Sequence, residues 1–69
     1  MSDAVYKLIE LTGSSSQGQQ AAIENAVAKA SVSLHNIRWF QVMETRGHVE
    51  NGKISHWQVV LKLGFTLDE

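Results

Sequence analysis

The segment Glu50-Asn51-Gly52-Lys53 constrains this chain most, because it separates two long runs rich in strand formers, residues 38–49 and 54–67. Asn-Gly is the strongest short hairpin signal: a type I′ turn needs positive φ at both central positions, and these two residues tolerate it best. With Asn51 and Gly52 as the loop, Glu50 faces Lys53 as an opposite-charge pair. In an unbroken ladder outward from that pair, Phe40, Val42, Glu44 and Arg46 share a face with Trp57, Val59, Leu61 and Leu63. Trp39, Gln41, Met43 and Thr45 then share the other face with Gln58, Val60, Lys62 and Gly64. The first face is nearly continuous apolar surface away from the tip and is the one expected to hold a helix. The second mixes an indole, amides and a thioether, which suits an assembly or ligand surface. A β-bulge would shift these assignments locally.

Upstream, residues 5–11 read as a further strand that ends at Thr12-Gly13, with Ser14, Ser15 and Ser16 forming a turn. Ser16 and Gln19 have the capping-box spacing, which predicts a helix over 17–34. Ile23, Ala26, Val27, Ala30 and Leu34 form one apolar stripe on it. Alanines at 21, 22, 26, 28 and 30 favour helix and permit close approach to a sheet. Gly18 is placed in the first helical turn, and 35–37 in the exit loop. The order is β-α-β-β, an α+β fold in one domain spanning 1–69.

At 69 residues such a domain buries little surface. Ordering it costs on the order of 1.5 kcal/mol per residue, which roughly cancels the hydrophobic gain. Disulfides, a metal or oligomerisation usually make up the difference. The chain has no cysteine, and His35, His48 and His56 are too scattered for a zinc motif, so oligomerisation is the expected source of stability. The net charge of -1, with basic residues unclustered, speaks against a nucleic-acid footprint. No apolar stretch is long enough for a membrane span, and the N-terminal residues lack the regions of a signal peptide. A cytoplasmic protein is the expectation.

Several residues stand out. Trp39, near the start of its strand on the mixed face, reads either as an interface filler or as a stacking platform for a planar ligand. Gln58, on the same face, reads as a structural hydrogen bond across an interface or as a group that recognises a heterocycle edge, since a carboxamide donates and accepts in parallel. Arg46-Gly47-His48 reads as a solvated strand end or as a phosphate or ligand-edge contact. Glu44 and Arg46, two apart on one strand, suit an ion pair, whereas Trp57 and Met43 read as packing. No nucleophile–base pair or acid–base pair emerges, so no catalytic residue is assigned.

Taken in order and spacing, several fragments make the chain resemble the dodecin family over essentially its whole length. They are residues 6–15 (YKLIELTGSS), Ala21-Ala22-Ile23 with Ala26 and Ala30, Trp39-Phe40-Gln41-Val42, residues 44–53 (ETRGHVENGK), His56-Trp57-Gln58-Val59 and Gly64-Phe65. The resemblance implies a three-stranded antiparallel sheet partly wrapped round one helix, assembled as a hollow homododecamer. It implies flavin, as FMN or riboflavin with FMN somewhat favoured, held in antiparallel pairs between tryptophans of two subunits. Trp39 matches the stacking tryptophan and Gln58 the glutamine at the pyrimidine-like edge of the ring. Arg46, Gly47 and His48 match a segment near the flavin. Thr66 departs from the family's pattern, because many bacterial relatives carry an arginine after Gly-Phe. If that arginine holds the FMN phosphate, the departure implies weaker FMN binding or a preference for riboflavin. Coenzyme A is a further ligand of some bacterial members, for which no residues are assigned here. The implied role is flavin storage and photoprotection without catalysis. A small flavin-dependent oxidoreductase and a shell without a physiological flavin are the alternatives.

Overall fold

The computed structural model describes residues 3–67. Strand β1 (Tyr6–Ser15), helix α1 (Gln19–Ser31), strand β2 (Ile37–Glu50) and strand β3 (Lys53–Thr66) follow in that order. The strands form one antiparallel sheet in the order β1-β3-β2, with β3 in the middle. The expected β-α-β-β architecture is present. The expected turn is present too: Asn51 and Gly52 have φ of 53° and 74°, and Glu50 pairs with Lys53.

Local structure departs from expectation at the first strand and the helix. Strand β1 does not stop at Thr12 but runs through Gly13 to Ser15. Gly13 is buried beneath α1, where a Cβ would press on the Ala22 carbonyl and lie 2.9 Å from the Ala26 Cβ. Its smallness thus serves the approach of helix to sheet rather than a turn. The helix begins at Gln19, two residues later than expected, and the capping box does not form. Gly18 is the N-cap instead, with φ 137°, a conformation that L side chains rarely adopt, and its carbonyl accepts from the Ala22 N–H. The serines serve the approach to the helix: the Gln17 N–H donates to Ser15 Oγ at 2.9 Å, and the Gln17 amide to Ser16 Oγ at 3.3 Å. Gln19 accepts from the Thr45 hydroxyl of β2 at 3.3 Å, so its side chain reaches away from the position a capping box needs.

The ladder between β2 and β3 is also not continuous. It slips at three places, between Ile37 and Trp39, between Val42 and Glu44, and between His48 and Val49. At the second, Met43 is the extra residue on β2; at the third, Ser55 is the extra residue on β3. One inserted residue sends every later side chain to the other face. Glu44 therefore opposes Val60, Arg46 opposes Gln58, and His48 opposes His56. Glu44 and Arg46 leave the helix face on which an unbroken ladder placed them, and Thr45 moves onto it opposite Val59.

The core lies between α1 and the β1–β3 half of the sheet. Val59, Leu61 and Leu63 of β3 are fully buried against Ala22, Ala26 and Ala30, and Ile9, Leu11, Ile23, Val27, Leu34 and Ile37 are partly buried around them. The alanine stripe fits the sheet because its side chains let the helix come close. Trp57 shares the helix face, opposite Gly47 and Ser15, but is only half-buried and lies outside this cluster, contrary to its expected core role. Helix α1 packs on β1 and β3 and leaves most of β2 uncovered. Phe40, Val42, Met43 and Val49 of β2 are consequently exposed. The fold measures 55 × 21 × 14 Å with a radius of gyration of 14.3 Å, against about 11 Å for a compact domain of this length.

Candidate functional site

Of the five candidate ligand contacts, Gly47 lies on the sheet face toward α1, and the other four, Trp39, Arg46, His48 and Gln58, lie on the face turned away from it. Because β3 is regular from His56 to Gly64, its even-numbered residues all share that face, and the pairings of β2 bring Trp39, Glu44, Arg46 and His48 to it. Strand β1 contributes Tyr6, Leu8 and Glu10, opposite Thr66, Gly64 and Lys62.

Trp39 is positioned by the absence of a side chain. It stands opposite Gly64, and a Cβ at Gly64 would clash with the indole, 2.7 Å from Cδ2 and closer still to Cε2 and Cζ2. The indole therefore lies against the backbone of the central strand. Tyr6 abuts it edge-on, with ring centroids 5.9 Å apart and planes at 65°, the arrangement that an aromatic quadrupole favours. Trp39 stays 37% exposed. One ring face is supported by the sheet and Tyr6 packs against the ring, while the indole stays partly open to solvent as a flat, held surface.

Arg46 and Gln58 are cross-strand partners further toward the hairpin tip. The Arg46 guanidinium is ion-paired with Glu44, the pair expected from their spacing. Both side chains are about half exposed, 52% and 53%, so the pair contributes little to stability and leaves Arg46 free to exchange it for another anion. His48 and His56 stack beyond them, with centroids 4.3 Å apart. Gly47 faces the helix side, opposite Trp57; it lies between Arg46 and His48 without adding surface to their face. Thr66 opposes Tyr6 at the other end, where its N–H donates to the Asn36 carbonyl at 3.1 Å. Among the described residues no three His, Cys, Asp or Glu side chains converge to hold a metal, and no helix is long and apolar enough to cross a membrane.

Two contributors escaped the sequence reading, Gly64 as the seat of the indole and Tyr6 as its wall. Gly64 had a signal, since an isolated glycine inside an apolar strand marks close approach of another group. Tyr6 had none, because its contact depends on β1 pairing with β3 rather than with β2.

A three-stranded antiparallel sheet with one helix on one face and a supported, open tryptophan on the other defines a small α+β binding and assembly module. The Dodecin family model matches residues 5–68, and the chain belongs to the dodecin family. It is 45% identical over 65 residues to a dodecin from Thermus thermophilus, covering 94% of each chain. The dodecin structure from Streptomyces coelicolor matches with a TM-score of 0.93 and 46% identity, over 100% of this chain and 99% of that one. The dodecin from Streptomyces davaonensis matches with a TM-score of 0.93 and 46% identity, over 99% of this chain and 100% of that one.

Proposed function

We propose that this protein stores and shields flavin, binding FMN or riboflavin in stacked pairs between the Trp39 side chains of two subunits of a homododecamer. The observation that carries this reading is the indole of Trp39, backed by Gly64 and left open outward. A flat aromatic surface held rigidly loses little entropy when a planar ring stacks on it. Gln58, with one donor group and one acceptor in parallel, suits the edge of a pyrimidine-like ring. Arg46 supplies a planar cation on the same face, and His48 lies next along the strand.

Assembly is supported by the apolar side chains of β2, which one chain leaves in water. Stacking an indole on the flavin ring would quench the excited flavin by electron transfer, which gives photoprotection without turnover, and no catalytic residue is assigned. A flavin flanked by tryptophans also leaves little room for a second substrate, which disfavours the oxidoreductase alternative. Thr66 offers a hydroxyl where an arginine would offer a cation, so it favours riboflavin over FMN more than an arginine would. No residues are assigned to coenzyme A. A cytoplasmic location goes with this role.

The test is a fluorescence titration of riboflavin and FMN with apo-protein, alongside Trp39→Ala. Saturable quenching near one flavin per subunit is expected in the wild type, with affinity at least tenfold weaker in an intact oligomer of the variant. Equal quenching by both proteins would refute the stacking role of Trp39, and steady NAD(P)H oxidation would refute storage.

A further inference from the structure

The bulge at Ser55 has a chemical consequence at the hairpin end of the sheet. Without it, His48 and His56 would occupy opposite faces; with it, they stand opposite one another on one face. Their rings stack with centroids 4.3 Å apart and planes 22° from parallel. The Ser55 hydroxyl contacts both residues, at 3.2 Å to the His48 carbonyl oxygen and 3.3 Å to His56 Nδ1. A carbonyl only accepts, so Ser55 donates its proton there. Toward His56 the Ser55 oxygen must then accept, and Nδ1 of His56 must carry the hydrogen. In the neutral ring that leaves the Nε2 lone pair free. A histidine whose Nδ1–H is held by an oxygen while Nε2 is open is in the tautomer and orientation that metal-binding imidazoles adopt.

From this we infer that His48 and His56 form a two-imidazole site for a borderline divalent transition-metal ion, with Ser55 as a positioning residue. An ion with bonds of about 2.1 Å to each imidazole holds their nitrogens no more than about 4.2 Å apart, a separation within reach of side chains directly opposed on antiparallel strands. Stacked rings direct their lone pairs side by side, so ion binding turns the rings out of the stack about their soft terminal torsions until the two nitrogens converge. His48 is exposed and His56 part-buried, so the site is accessible in one chain. Two protein ligands leave the remaining positions to water or to a second copy. Imidazole pairs follow the order in which copper(II) binds more tightly than nickel(II) or zinc(II), and hard calcium and magnesium ions have no preference for them. This inference does not depend on the flavin reading.

The experiment is calorimetric titration of flavin-free protein with copper(II), nickel(II), zinc(II) and calcium(II), with paramagnetic resonance of the copper form. Sedimentation checks that each variant stays assembled. Wild-type protein is expected to bind copper tightest, with a resonance signal from two equivalent nitrogens, and to show no calcium binding at this pair. His56→Gln should abolish the two-nitrogen signal and weaken copper binding at least tenfold. Ser55→Ala should weaken it by roughly tenfold while keeping both nitrogens, and His35→Gln should change nothing. Unchanged copper binding in His56→Gln, or a one-nitrogen signal in the wild type, would overturn the inference.

Discussion

At the scale of single residues, the site depends on what Gly64 lacks. The indole of Trp39 occupies the volume a Cβ would fill, so Gly64→Ala must push the ring off the sheet. The ring is partly exposed and can move outward, so the fold should survive. The near-ultraviolet dichroism of Trp39 should collapse, and flavin affinity should fall by about tenfold or more, equivalent to about 1.4 kcal/mol. An unchanged dichroism spectrum together with wild-type quenching would show that the seat does not matter. Gly13 works by the same principle on the other face, where the helix rather than an aromatic ring fills the space. The sequence shows both glycines inside strand-forming runs, but not which neighbour each admits. That depends on pairings made by β1, whose partners are distant in the chain.

At the scale of elements, the bulges decide which side chains meet. The sequence supports the number and order of elements because each rests on a local signal: Asn51-Gly52 for the hairpin, the alanine stripe for the helix, strand formers for the rest. The apolar core of Val59, Leu61 and Leu63 is legible from alternation alone. The face carrying Arg46 and His48 is not, because a bulge leaves no reliable mark in side-chain type, and Met43 and Ser55 look like ordinary strand residues. The helix start was misplaced for a similar reason. Gly18 adopts a φ that only glycine takes readily, and it replaced the serine expected as the cap. Deleting Met43 tests the role of the bulge. Its loss leaves the pairings on either side intact, Val42 with Leu61 and then Glu44 with Val60, so Trp39 and Arg46 still share a face. Flavin affinity should stay within about threefold of wild type, as read by titration; a loss of about tenfold or more would show that the bulged backbone itself, and not only the shared face, shapes the site.

At the scale of the whole molecule, one chain is an unfinished structure. Its core holds three fully buried large side chains, its long dimension is 55 Å, and its hairpin extends past the helix with apolar side chains on both faces. Large exposed apolar surface of this kind is the mark of an interface, and oligomerisation is the route left to a small chain without disulfides. Membership of the dodecin family agrees with assembly, and the proposed function turns the open face of Trp39 toward a second subunit. On that proposal assembly and flavin binding are joined at the sheet that one helix leaves half covered. Sedimentation velocity with simultaneous detection of protein and of the flavin band tests that union most directly. Flavin moving with a single particle of twelve 7.7 kDa chains, and an equally large but colourless particle for Trp39→Ala, is the predicted result. Flavin left behind by an assembled wild type, or flavin carried by a lone chain, would contradict it.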